Sequence, residues 1–378
     1  MRLAAIVTAR PSYSRIRTAL LAIQTRGVDV QVVACASALL ERYGRVVEVI
    51  RRDGLSVEEV WSTYEGTTRL TSAMETGALC TALAPVLARL KPDAGLVIAD
   101  RHEVLGAAQA VAYQHIPLFH IQGGERTGSI DDKVRDSITH LADYHLVATE
   151  SAKYRVYGLT GALERIYQTG CPSVDLAREA LAQPPVTWDE IGGVGPTFPL
   201  DQPFVVLLQH PVTSEPQAPE HLRQTLQAIR QGGWACLAIW PGQDAGSEAS
   251  SKMLRLAQPW LHTVRNLAPA RFLRLLTQAS CLVGNSSVGI RECSYLGVPV
   301  VNIGTRQQGR ERGRHVRDVP QDVGAIGQAM VEQMQHGPYR SSTLYGDGFS
   351  GPRIAEVVCE RFGLGVDPGP ERVEVDPI

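Results

Sequence analysis

A chain of 378 residues, 44% hydrophobic and 20% charged, is long enough for two globular domains, each with its own core. Its formal net charge of −2 gives no basis for binding nucleic acid or an anionic membrane surface. No apolar run reaches the roughly 18–20 residues of a membrane span, and the first eight residues are too short for a signal peptide, so a cytoplasmic location is expected.

Residues 3–8 read as a strand, and the turn Ala9-Arg10-Pro11-Ser12 leads into a helical pattern that ends at Gly27. A second strand over 28–36 completes a strand–helix–strand unit, the start of a parallel sheet. The first turn lacks the glycines of a dinucleotide fingerprint. It offers Arg10, a cation at the carboxyl end of a strand, which reads either as a ligand contact or as a surface arginine.

A long helical pattern over 70–90 closes at Lys91-Pro92-Asp93, and residues 94–99 form a buried strand tipped by Asp100-Arg101-His102-Glu103. Asp100 suits either a helix cap or a site at a strand end. After the strand at 117–121 comes Gln122-Gly123-Gly124-Glu125, then Asp131 beyond a glycine-containing turn. Glu125 and Asp131 can point with Asp100 into one cleft. Three carboxylates there suit proton transfer, because repulsion and burial raise the pKa of one of them, or a divalent cation, or plain solvation. The alternation continues to Gly170. Residues 183–196, rich in Pro and Gly, read as the interdomain connection.

The second half restarts the rhythm. Strand 204–209 ends at His210-Pro211, and strand 235–240 ends in a turn containing Asp244. The apolar run 281–283 leads into Gly284-Asn285-Ser286-Ser287 and then a helical segment reaching Leu296. Such a turn caps the helix start, and the same free N–H groups form a ready phosphate site. Glu292 stands where a carboxylate reaches the hydroxyls of an attached sugar. The loop 305–314 carries Arg306, Arg310, Arg312 and Arg314, suited to an anionic leaving group or simply solvated. Residues beyond about Gly363 look like a disordered tail. The seven cysteines are scattered, with neither zinc-ligand nor disulfide spacing, so neither a zinc site nor a disulfide framework is expected.

The expected architecture is α/β, with two Rossmann-like parallel-sheet domains facing a cleft. Residues 1–180 carry the carboxylates and 181–355 the phosphate turn, with a crossing helix end and flexible tail at 356–378.

The ordered motifs are Thr8-Ala9-Arg10, Asp100-Arg101-His102-Glu103, His120-Ile121-Gln122-Gly123-Gly124-Glu125, Asp131, His210-Pro211, Asp244-Ala245-Gly246-Ser247, Gly284 through Glu292, and Asn302 through Arg310. Together they resemble the hydrolysing UDP-N-acetylglucosamine 2-epimerases over roughly residues 3–360. The resemblance implies a glycosyltransferase-B-type fold whose final helix crosses back onto the first domain. It implies that Arg10, Ser286, Ser287 and the backbone at Val288 and Gly289 hold the diphosphate, and that Glu292 holds the ribose. It also implies that Asp100, Glu125 and Asp131 are the catalytic carboxylates, that His210 lies near the leaving group, and that the protein is a homodimer or larger homo-oligomer. The implied reaction releases UDP and the free 2-epimer, N-acetylmannosamine, and needs no cofactor and no metal. A glycosyltransferase of the same fold, a non-hydrolysing epimerase and a non-catalytic nucleotide-sugar sensor are the competing readings. Pro11-Ser12, Ala99, His102 and Val288 depart from the family pattern and leave the identity of the sugar open, a 2,4-diacetamido sugar included.

Overall fold

The computed structural model describes residues 1–41, 44–62, 68–212, 218–240, 247–255 and 258–363. The Asp244 turn and the tail fall outside these residues.

The first sheet contains β1 (Arg2–Val7), β2 (Asp29–Cys35), β3 (Ser56–Val60), β4 (Ala94–Ile98), β5 (Leu118–Ile121), β6 (Tyr144–Val147) and β7 (Ile166–Gln168). They stand in the order β3-β2-β1-β4-β5-β6-β7, all parallel. The crossovers are α1 (Arg10–Gln24), α2 (Val47–Arg52), α3 (Arg69–Leu90), α4 (His102–Ala112), α5 (Ile130–Leu141) and α6 (Glu150–Thr160). A parallel sheet is covered on both faces, so its central strands are apolar throughout. In β1, Leu3, Ala5 and Val7 join the core under α1, while Ala4 and Ile6 join the one under α3 and α4. Alternate side chains of a strand point to opposite faces, which accounts for this division. By length and composition α3 is apolar enough to cross a membrane, which the run-length reading of the sequence missed. In the fold its Leu79, Leu83 and Leu87 are buried in the sheet core.

Next come α7 (Pro172–Leu181) and the short α8 (Trp188–Ile191). The second sheet contains β8 (Phe204–Leu208), β9 (Ala235–Ile239), β10 (Leu261–Val264), β11 (Cys281–Gly284), β12 (Val300–Ile303) and β13 (Val316–Val319). Its order is β10-β9-β8-β11-β12-β13, again all parallel. Around it lie α9 (Ala218–Gly232), α10 (Ser247–Leu254), α11 (Pro269–Leu276), α12 (Glu292–Leu296) and α13 (Val323–His336). The α/β architecture with two parallel-sheet domains is as expected. Three strands had no place in the sequence reading: β3, β10 and β13. All three are sheet edges, and β3 and β13 carry charged residues that blur the apolar signal.

The last helix, α14 (Ser350–Arg361), returns to the first sheet, where Ile354, Ala355, Val358 and Cys359 join the core beside α1. Asp175 of α7 anchors its start by accepting the Ser350 N–H at 2.8 Å, the Gly351 N–H at 2.6 Å and the Thr18 hydroxyl at 3.2 Å. A Cβ on Gly351 would lie 2.8 Å from the Thr18 carbonyl carbon, so only glycine lets α14 approach α1 this closely.

Two histidines are sealed in the middle of the first sheet. His120 of β5 and His145 of β6 are cross-strand neighbours, and burial lowers each pKa from 6.5 to about 4. The unfolded chain takes up these protons near pH 6.5 and the native chain does not, so stability falls as pH drops from about 6.5 towards 4. The loss is at most on the order of 3 kcal/mol per histidine. His145 Nδ1 has no hydrogen-bond partner to lose. Urea unfolding at stepped pH should therefore show a shallower acid limb in His145→Leu than in wild type. Identical limbs would contradict this account.

Candidate functional site

Each sheet reverses its strand order once, at β1/β4 in the first and β8/β11 in the second. Open α/β sheets bind ligands at such reversals, beyond the carboxyl ends of the strands. Arg10 follows β1, Asp100 follows β4, His210 follows β8 and Ser286 follows β11. The topology thus brings the expected residues of each half to its own crevice.

In the second crevice, Gly284 (φ 139°) leaves β11 where a Cβ would fall 2.6 Å from the Leu208 carbonyl carbon. Asn285 then clamps the neighbouring loop. Its Oδ1 accepts the His210 N–H at 2.7 Å and its Nδ2 donates to the His210 carbonyl at 2.8 Å. The continuous helix expected after this turn is not formed. A single 3-10 turn spans Ser287–Gly289, and α12 begins only at Glu292. The cause is a tertiary contact: His315 Nε2 holds the Gly289 carbonyl at 2.8 Å, and Gly289 packs so closely on Val300 that a Cβ would lie 2.9 Å from it. The Gly289 N–H bonds the Ser286 carbonyl at 3.1 Å, and the Val288 N–H reaches the Ser286 hydroxyl at a weak 3.4 Å. Arg291 donates to the Ser287 hydroxyl at 2.9 Å.

Glu125 carries the contact between the halves. Its carboxylate, 4% exposed, lies 3.1 Å from Arg310 and 3.6 Å from Arg291, both of the second domain. Arg291 also sits 3.8 Å from Glu292. Arg15 of α1 belongs to the same cluster: burial and the Arg291 charge push its pKa down to about 10, against the opposing pull of Glu292. Three guanidinium groups against two carboxylates leave an excess of positive charge. Arg310 Nε and Nη1, Glu125 Oε1 and Glu292 Oε2 are buried with no hydrogen-bond partner in the protein. Buried polar atoms of this kind cost free energy that a polar ligand recovers.

The four loop arginines do not act as a set. Arg306 donates to the Asn285 carbonyl at 3.2 Å, and Arg310 meets Glu125. Arg312 is drawn away to Asp318 of β13 at 2.8 Å, and Arg314 is exposed. The loop also docks on the first domain, where Thr149 donates to Glu311 at 2.5 Å. Arg10 lies half-buried beside Gly44 and Asn266, with its pKa lowered by burial. No carboxylate among the described residues pairs with it.

In the first crevice Asp100 is not a helix cap. The N-cap of α4 is Arg101, without a side-chain bond, and the Asp100 carboxylate contacts the Arg135 guanidinium instead. Arg135, 1% exposed, also donates to Asp132 at 2.9 Å and to the Glu125 carbonyl at 2.5 Å. Asp132 in turn accepts from the Thr127 N–H at 2.7 Å and the Gly128 N–H at 2.8 Å. Asp131 is half-buried on the first turn of α5, its N–H bound to the Ser129 hydroxyl at 3.2 Å. Arg135 therefore joins Asp100 to the Glu125 loop, while the Glu125 carboxylate faces the arginines of the other domain. The sequence reading missed Arg15, Asp132 and Arg135. The spacing Asp132-x-x-Arg135 on a helix was a usable signal. Arg15 had none: Arg17, two residues on, looks the same and pairs with Asp53 at 2.9 Å.

A family profile described as UDP-N-acetylglucosamine 2-epimerase matches residues 21–359. The chain is 28% identical over 339 residues, 89% of each chain, to the UDP-N,N'-diacetylbacillosamine 2-epimerase (hydrolyzing) of Legionella pneumophila. It is 26% identical over 363 residues, 94% of each chain, to a UDP-N-acetylglucosamine 2-epimerase of Neisseria meningitidis serogroup B. In three dimensions it resembles the Methanocaldococcus jannaschii UDP-GlcNAc 2-epimerase solved with UDP-GlcNAc and UDP. The TM-score is 0.79 at 18% identity, covering 95% of this chain and 100% of that one. For the Neisseria meningitidis enzyme bound to UDP-GlcNAc the TM-score is 0.77 at 17% identity, with the same coverage. These likenesses establish the glycosyltransferase-B-type fold.

Replacing Arg135 tests the account of the first crevice. Arg135→Met leaves the Asp100 and Asp132 carboxylates and the Glu125 carbonyl without their buried partner, and should destabilise the fold by about 3–5 kcal/mol. Urea unfolding measures this; a loss below about 1 kcal/mol would mean that the guanidinium does not organise the loop.

Proposed function

Because the chain belongs to the UDP-N-acetylglucosamine 2-epimerase family, we propose that it is a hydrolysing member. It would convert UDP-N-acetylglucosamine, or a related UDP-2-acetamido sugar, to the free 2-epimer and UDP. The observation that carries this reading is the guanidinium cluster of Arg15, Arg291 and Arg310 gathered from both domains, with buried donors of Arg291 and Arg310 left unbonded. Two relatives named as hydrolyzing epimerases of diacetylbacillosamine nucleotides support the subtype and make a 2,4-diacetamido sugar the second substrate to test.

In this reading Arg10, Ser286, Ser287 and the turn backbone at Val288 and Gly289 hold the diphosphate. The 3.4 Å Val288 bond is weak enough for a phosphate oxygen to displace. Glu292 takes the ribose hydroxyls through Oε2, which has no hydrogen-bond partner in the protein, and His210 stands by the leaving group. The C1–O bond breaks with its electron pair leaving on UDP, and positive charge develops at C1. The C2–H, not acidic in the ground state, then becomes so. Asp100 takes that proton and the C1–C2 double bond of a glycal forms. Glu125 and Asp131 jointly stabilise the charge and return a proton to the opposite face of C2. Water adds its oxygen to C1 and gives up one proton to the carboxylate that supplied the C2 proton. Departure of UDP supplies the acidity, so the reaction needs no cofactor and no metal.

We also assign the protein to the cytoplasm as a homodimer or larger homo-oligomer. The solvent side of α3 offers an uncharged face for a second copy, with Leu70, Met74, Gly77, Thr81 and Pro85 in line. Light scattering should report at least twice 41.0 kDa, and a mass equal to one chain would refute the assembly.

Turnover in heavy water, followed by NMR, tests the chemistry. UDP-N-acetylglucosamine should give free UDP and N-acetylmannosamine deuterated at C2. Release of UDP without C2 deuterium points to a simple hydrolase or a transferase, and UDP-N-acetylmannosamine as product points to the non-hydrolysing reaction. Asp100→Asn should abolish C2 exchange while UDP still binds. If that variant loses UDP binding instead, the base is misassigned.

A further inference from the structure

His120 lies in one of the ordered motifs but has no part in the chemistry above. It is fully buried on β5, opposite Val97 of β4. Beyond β4 the chain enters Ala99 with φ 69°, a left-handed conformation that residues with a Cβ adopt rarely. That backbone persists only if its neighbours hold it. The Ala99 carbonyl, which can only accept, lies 2.9 Å from His120 Nε2, so Nε2 carries the ring proton. Nδ1 is then the acceptor, and the Thr139 hydroxyl donates to it at 3.2 Å. Gly123 closes over this pair: a Cβ there would lie 3.1 Å from both Nδ1 and the Thr139 oxygen. The ring is thus fixed in one tautomer and one orientation. Its pKa of about 4 keeps it neutral throughout the working range.

The residue after Ala99 is Asp100. Its carboxylate contacts Arg135, and Arg135 and Thr139 are four residues apart on α5, hence on the same face. One turn of α5 therefore controls both ends of Asp100. Arg135 holds the side chain directly, and Thr139 holds the preceding peptide through His120.

We propose that His120 is a positioning residue for proton transfer at C2: as a neutral Nε2–H imidazole it fixes the left-handed Ala99 peptide and so sets the direction in which Asp100 meets the sugar. The proposal rests on Asp100 being the base. Proton abstraction depends steeply on alignment, and a displacement of about 1 Å costs roughly 10²-fold in rate.

The test measures C2 deuterium exchange, kcat and KM with UDP-N-acetylglucosamine or its diacetamido counterpart, and UDP affinity by calorimetry. His120→Leu fills the space without a donor and should lower kcat and C2 exchange about 10²-fold, leaving UDP affinity within about threefold. His120→Gln, which restores an N–H at similar reach, should recover to within about tenfold of wild type. Thr139→Val, which keeps the shape but frees Nδ1, serves if His120→Leu does not fold, and should lower kcat while sparing UDP binding. Nitrogen-15 spectra of the wild-type ring should show the neutral Nε2–H tautomer at pH 7.

Three results would overturn the proposal: an Nδ1–H tautomer or an imidazolium at pH 7, unchanged exchange in both His120→Leu and Thr139→Val, or equal loss of kcat and UDP affinity with no recovery in His120→Gln. If wild type exchanges no C2 hydrogen on any UDP-2-acetamido sugar, the functional reading falls and takes this proposal with it. If wild type exchanges and both His120→Leu and Thr139→Val exchange equally fast, only the role of His120 falls.

Discussion

A carboxylate that is 4% exposed is costly to bury without ion-pair partners, and Glu125 finds both of its guanidinium partners in the other domain. This one constraint accounts for much of the molecule. It draws the 305–311 loop down onto the first domain, where Gly309 lies so close to Arg126 that a Cβ would be 2.7 Å away, and where Glu311 accepts from Thr149. It keeps Arg291 charged inside the protein, its pKa raised by Glu125, Cys171 and Glu292 despite the burial that opposes charging. Breaking such a pair leaves a lone buried charge, which costs far more than an exposed pair contributes. The domains are therefore joined by chemistry that is also the floor of the cleft.

The architecture was legible because its signals are local. Apolar runs such as 94–98 and 204–208 mark strands covered on both faces, and the loops after them mark the crevices. Given the strand order, Arg10, Asp100, His210 and Ser286 fall at the two reversals. The edge strands were not legible: Ser56–Val60 and Val316–Val319 carry solvent-facing charge, and pairing on one side alone defines them.

Within the site, residue type was readable and partner was not. The sequence suggested three carboxylates converging and four arginines acting as a loop. The fold instead assigns Asp100 to Arg135, Glu125 to Arg291 and Arg310, and Arg312 to Asp318. Arg15 and Arg17 show why no local rule could have done better. Both lie on α1, two positions and about 200° apart around the axis, so one faces the cleft and the other Asp53. The turn after β11 erred in the other direction. Its composition signals a helix cap, and the His315 bond to the Gly289 carbonyl, set by a residue 26 positions away, interrupts the helix that should follow.

The pairing of Asp100 with a guanidinium also constrains the proposed chemistry. That pairing fixes the direction of the Asp100 carboxylate. In the proposed reaction a carboxylate is a poor base for an ordinary C–H and an adequate one for a C–H beside a carbon that has become cationic. Proton removal at C2 must then follow, or accompany at a late stage, the departure of the diphosphate. In the proposed reaction the rate depends first on how well the arginine cluster stabilises the leaving group. Arg15 of the first domain and Arg291 and Arg310 of the second form that cluster with an excess of charge, while Asp100 is held in place by Arg135 and, through Ala99, by His120. In the proposed reaction the arginine cluster would stabilise the departing anion and the held Asp100 would act as base, and a carboxylate suffices because the leaving group acts first.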